Sequence, residues 1–106
     1  MSTNQNRNQK ELLYQLERLT KESFSFATIL KGFRTREDMT QEQLALKLGV
    51  TKSYISDLEN KRRYVTVTQA KSFAKKLKEP VEVWVTTSLQ DMVTRAGLTG
   101  TVKIVA

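Results

Sequence analysis

The chain holds 106 residues with no cysteine and no histidine, and 18 Lys and Arg stand against 11 Asp and Glu, a formal net charge of +7. A length of this order carries one modest core; without cysteine there is no disulfide or thiolate metal site, without histidine the commonest general base and metal ligand is gone, and no enzyme activity, cofactor or metal is expected. The positive balance favours a polyanionic partner, nucleic acid or an anionic membrane surface. No strongly amphipathic basic helix is free of the core pattern, no apolar run nears the roughly 18–20 residues of a membrane span, and Met1–Lys10 has no signal-like apolar segment, so the expectation is nucleic acid in the cytoplasm and no membrane.

Residues 1–9, rich in Asn and Gln, predict a disordered arm. Leu12, Leu13, Leu16 and Leu19 then recur at helical spacing and predict a short amphipathic helix, either packed on the domain or used as an oligomer contact. Phe26, Ile29, Leu30 and Phe33 lie at i, i+3, i+4 and i+7, which predicts a helix over about 24–37. Gly32 inside it costs up to about 1 kcal/mol relative to alanine and suggests a close helix crossing there. Thr40 with Gln43 has the spacing of a capping box, so the next helix begins at Gln41. Leu44, Ala45 and Leu48 share one of its faces. Gly49 suits a left-handed stop, and Thr51 suits the N-cap of a helix whose inward residues are Ile55 and Leu58. Two short helices hinged at a glycine make a helix-turn-helix.

After Asn60 comes the basic loop Lys61-Arg62-Arg63-Tyr64. Val65–Thr68 leads into a helix with Ala70, Phe73, Ala74 and Leu77 inward and Lys71, Lys75, Lys76 and Lys78 on an outer, solvated side. Pro80 suits the first turn of a fifth helix striped by Val81, Trp84, Val85, Ser88, Leu89, Met92, Val93 and Ala96. Val81, Val83 and Val85 also alternate with period two, which leaves a strand open there. Gly97 and Gly100 bracket a break, and Thr101–Val105 alternates like a short strand.

From Met39 to Asn60 these residues resemble the Xre or lambda-repressor-like (Cro/C1-type) family of bacterial and phage DNA-binding domains, over roughly Phe26–Thr86. The expected fold is all-α: a five-helix lambda-repressor-like domain with an extra N-terminal helix and a short C-terminal β-strand. The divisions are an arm and helix at 1–22, the DNA-binding domain at 23–86, and a dimerisation segment at 87–106. An α-helix fits the major groove, where base edges are distinguishable. With Ile55 and Leu58 inward, Lys52, Ser53, Ser56 and Asp57 face outward, and the resemblance implies base reading at the helix start and one turn later. Asp57 has an alternative as the i, i+4 partner of Lys61. The resemblance further implies that Gln41, Asn60, Lys61, Arg62 and Arg63 grip phosphates and that Arg34 pairs with Glu59, with a phosphate contact as the alternative for Arg34. Tyr54 either stacks along the DNA backbone or covers the core edge.

The function this implies is that of a sequence-specific regulator, a repressor that binds a pseudo-palindromic operator as a homodimer. The alternative is an antitoxin that also binds a toxin protein. Dimerisation is expected through antiparallel pairing of the C-terminal strand, with Val102 and Ile104 in it and Trp84, Leu89, Met92 and Val93 covering its apolar side, since a lone strand must find its partner in another chain. In the antitoxin account that strand augments the toxin's sheet instead.

Overall fold

In a computed structural model that describes residues 24–105, the helices are α1 Phe26–Arg36, α2 Gln41–Leu48, α3 Lys52–Glu59, α4 Val67–Leu77 and α5 Val81–Arg95. The expectations for the arm and for the Leu12–Leu19 helix lie outside the described residues. Local chemistry accounts for most of the helix starts. Ser25 Oγ accepts from Thr28 N–H, and Thr51 Oγ1 accepts from Tyr54 N–H. Thr40 with Gln43, and Thr66 with Gln69, form complete capping boxes in which two otherwise unpaired amides are satisfied reciprocally. Each helix also ends alike. After α2, Val50 N–H returns to Ala45 C=O at 2.9 Å across the left-handed Gly49, φ 73°. The same reversal closes α1 at Asp38, α3 at Lys61 and α4 at Lys78, whose positive φ values of 55°, 58° and 57° carry a side chain where glycine would be easier.

The core is one cluster to which every helix contributes: Phe26, Leu30 and Phe33 from α1, Leu44, Ala45 and Leu48 from α2, Ile55 and Leu58 from α3, Ala70, Phe73, Ala74 and Leu77 from α4, and Trp84 from α5. Trp84 is its pivot. Its ring meets Phe26 edge-on at 5.6 Å and Phe33 at 6.1 Å between centroids, arrangements worth about 0.5–1.5 kcal/mol each beyond the area they bury. Gly32 is exposed, and a Cβ built there meets nothing within 4 Å, so the close crossing expected at this position is absent among the described residues.

Two expectations about the C-terminal third need correction. Val81–Val85 is helical, so the period-two reading fails there; the buried face of α5 is Trp84, Thr87, Ser88 and Asp91, at i, i+3, i+4 and i+7, with Thr86 and Gln90 beside it. Buried hydroxyls are possible on that face because the helix satisfies them internally: Thr87 Oγ1 donates to Trp84 C=O at 2.6 Å and Ser88 Oγ to Val85 C=O at 2.7 Å. The rotation leaves Met92 half exposed and puts Trp84 at 1 % exposure inside its own domain, where it is closed to a second chain.

The second correction concerns Thr101–Val105, which is not a β-strand: all the regular structure among the described residues is helical. The physical reason is a substitute partner within the chain. Gln90, buried on α5, donates from Nε2 to Gly100 C=O at 3.0 Å and accepts Val102 N–H on Oε1 at 2.9 Å. A single side-chain amide thus makes the two bonds that a neighbouring strand would make, and the tail folds back beside Phe24, Val83 and Thr86.

Candidate nucleic-acid interface

Burial of Ile55 and Leu58 sets the rotation of α3 about its axis. Lys52 and Ser53 are consequently exposed in its first turn, Ser56 and Asp57 are half-buried in its second, and Asn60 is exposed at its end. The approach of α2 is held from outside as well. Lys76 Nζ, from α4, donates to Leu48 C=O at 3.1 Å, so a cation meets the negative end of α2. Lys52 Nζ lies 3.7 Å from Glu42 of α2, with both side chains well exposed, a contact worth little in water.

Glu59 is the hub beneath this surface. Its side chain is 3 % exposed and accepts from Arg34 Nε at 2.8 Å, Arg34 Nη2 at 2.9 Å and Gln41 Nε2 at 3.2 Å. Arg34 Nη1 adds a bond to Met39 C=O at 3.1 Å. One carboxylate therefore ties α1, the turn before α2, the first residue of α2 and the last of α3. Its hydrogen bonds raise the Arg34 guanidinium further above the ordinary arginine range, outweighing the opposite effect of burial. The side-chain nitrogen of Gln41 is committed to Glu59. The capping box fills Gln43 N–H, while the backbone N–H groups of Gln41 and Glu42 belong to the first turn, which has no intrahelical acceptors.

The basic loop does not fan out uniformly. Asn60 spends its Nδ2 on Ser56 C=O at 2.8 Å, capping its own helix. Lys61 is exposed at the left-handed position. Arg62 folds back on α3: its Nε donates to Asp57 Oδ1 at 2.9 Å and its Nη2 to Ser56 Oγ at 3.3 Å. The ion-pair partner of Asp57 is therefore Arg62 at i+5 rather than Lys61 at i+4, because the left-handed turn at Lys61 redirects the chain before a helical i+4 neighbour can form. Arg63 stacks on Tyr54 at 5.2 Å from the ring centroid, and Tyr54 meets Phe73 edge-on at 6.5 Å, so that ring bridges the core edge and the loop.

Three residues with structural roles gave no signal in the sequence. Arg95 sits 4.0 Å over Tyr64 and binds the end of α5 to the basic loop. Asp91 Oδ2 accepts Phe26 N–H at 3.2 Å, and burial pushes its carboxyl above the usual carboxylate range, against the opposing pull of that hydrogen bond and of the Lys61 and Arg95 charges. Lys76 was indistinguishable by spacing from the other lysines of α4. None of these pairings is local, so neither periodicity nor motif spacing marks them. Of the residues expected to dimerise, Leu89, Val93 and Val102 are half-buried, while Met92 and Ile104 are exposed.

Two caps on either side of a left-handed glycine, a second helix held by one buried face, and a cationic loop at its end define a helix-turn-helix DNA-binding domain. A family model described as Helix-turn-helix (HTH_3) matches residues 30–84, just over half of the chain. The chain belongs to this Cro/C1-type helix-turn-helix family, a family of DNA-binding transcription regulators and not of enzymes. Searches of the curated proteins and of the solved structures found no match. Among the described residues no helix is long and apolar enough to cross a membrane.

Proposed function

We propose that this protein is a sequence-specific repressor that binds a pseudo-palindromic operator as a homodimer, with α3 in the major groove. The observation that carries the reading is the placement of Lys52, Ser53, Ser56 and Asp57 on the solvent side of α3 while Ile55 and Leu58 are buried, with Lys61 and Arg63 flanking its C-terminal end. Lys52 and Ser53 supply donors to base edges. The first-turn amides of α2 at Gln41 and the cations Lys61 and Arg63 address phosphates. Asn60 and Tyr54 support that grip by shaping the loop, Asn60 through its cap on Ser56 C=O and Tyr54 through its stack under Arg63.

Dimerisation follows from reach. At eight residues, α3 is about 12 Å long at about 1.5 Å per residue, which spans three to four base pairs at about 3.4 Å each. So short a site recurs throughout any genome, and two copies reading half-sites about 34 Å apart restore discrimination. The exposed Met92, beside the half-buried Leu89 and Val93, is the part of α5 open to a second copy.

Selection of bound sequences from random DNA, together with light scattering of the free protein and the complex, tests the reading. The expected motif is two-fold symmetric, and Lys61→Ala and Arg63→Ala should weaken all sequences alike, each lowering the salt slope by about 0.9. A monomer that enriches an asymmetric motif would overturn the dimer, and enrichment of no sequence would overturn the regulator.

A further inference from the structure

We infer that Arg62 is a guanine-reading residue, held in reading position by Asp57 and Ser56. The inference rests on the DNA-binding reading above and assigns the base that one side chain recognises.

Three hydrogen bonds hold Arg62 against α3. Arg62 N–H donates to Asp57 C=O at 2.8 Å, Arg63 N–H reaches the same carbonyl at 3.3 Å, and Arg62 Nε donates to the Asp57 carboxylate at 2.9 Å. Asp57 thus fixes Arg62 through both its backbone and its side chain, while Ser56 Oγ takes the Nη2 bond at 3.3 Å. Both anchoring residues lie on the same outward half of α3 as Lys52 and Ser53. The guanidinium therefore rides on the recognition helix instead of extending from its end.

The chemistry of the two edges decides what it does there. A guanidinium presents five N–H donors in a rigid fork. The Nε–Nη2 edge is occupied by Asp57 and Ser56, and among the described residues no acceptor engages Nη1. What remains is the terminal Nη1–Nη2 edge, two parallel donors matching guanine O6 and N7. Charge argues for a base over a phosphate. Paired with Asp57, Arg62 contributes little net charge, so its pull on a phosphate is largely cancelled, whereas a directional two-bond contact to a neutral base edge keeps its geometry. The pairing also answers what a carboxylate is doing on a face turned toward a polyanion: alone, Asp57 would be repelled, and with Arg62 it is neutralised. Restricting the long Arg62 side chain before binding further reduces the entropy lost on docking.

The test is selection from random DNA followed by affinity measurements on the wild type, Arg62→Lys and Asp57→Ala. The wild type is expected to require guanine at one position of each half-site. Arg62→Lys keeps the charge but loses the planar fork, and discrimination at that position alone should fall about 5- to 140-fold, the equivalent of one bidentate base contact. Asp57→Ala removes a negative charge and should raise affinity for all sequences while relaxing the same guanine preference, a combination that a merely structural role would not produce. Uniform weakening by Arg62→Lys with the motif unchanged, or an Asp57→Ala motif as sharp as the wild type's, would overturn the inference and leave the regulator standing. A wild type that enriches no sequence would overturn the regulator and the inference with it.

Discussion

Arg34→Ala is the perturbation with the largest expected consequence. The Glu59 side chain, 3 % exposed, accepts three hydrogen bonds, and two of them come from Arg34. Removing the guanidinium leaves a nearly inaccessible carboxylate facing the neutral Gln41 amide, and breaking a buried pair from one side costs about 3–5 kcal/mol. The bond from Nη1 to Met39 C=O is lost as well, which frees the turn before α2. For a domain of this size 1 kcal/mol moves Tm by about 4–8 °C, so even the lower figure lowers it by about 12 °C or more. A domain with a total stability of about 5–15 kcal/mol then stands close to unfolding at 37 °C. Urea and thermal unfolding followed by circular dichroism measure the loss. Arg34→Met with Glu59→Leu removes both charges and should recover most of it, since the cost lies in the orphaned carboxylate rather than in the missing bond. An Arg34→Ala midpoint within 0.5 kcal/mol of the wild type would refute the reasoning, because Glu59 would then have to be solvated in the folded protein.

Gly32→Ala should stabilise by about 1 kcal/mol, or raise Tm by about 4–8 °C, because the position is an exposed helix interior with nothing within 4 Å of the added Cβ; a loss of stability would mean that the position is covered. Asp91 titrates above its unfolded reference near 3.9, so the folded state binds the proton more tightly, and stability falls as pH rises from that reference through the folded value. Asp91→Asn keeps an acceptor for Phe26 N–H and should remove this slope from Tm measured between pH 3 and 8; an unaltered slope assigns it to another group. Gln90→Ala removes both ties to the C-terminal segment and should speed tryptic cleavage after Lys103 while leaving the helical content unchanged. Equal cleavage rates would show that the tail is held by its apolar contacts beside Val83 and Thr86.

What can be read from neighbouring residues was legible in the sequence. Thr40 and Gln43 meet across one turn, Thr51 caps Tyr54 three residues on, and Gly49 takes a backbone angle that costs it little, so the two helices of the motif and their hinge follow from spacing alone. The inward residues of α1 to α4 are also a matter of period, since a core face must repeat with the helix. Only the tertiary structure decided the C-terminal third. There the expected stripe of α5 holds at Trp84 and Ser88, but the packed helix buries Thr87 and Asp91 beside them and leaves Met92 exposed, because hydroxyls that bond to their own helix, and a carboxylate that finds a backbone N–H 65 positions away, cost less inside than composition suggests. Thr101–Val105 has the alternation of a strand, but a strand is defined by its neighbour, and the neighbour proved to be the side chain of Gln90. The same holds at the proposed interface: spacing offered Lys61 to Asp57, and the left-handed turn at Lys61, which no local pattern of side chains announces, delivered Arg62.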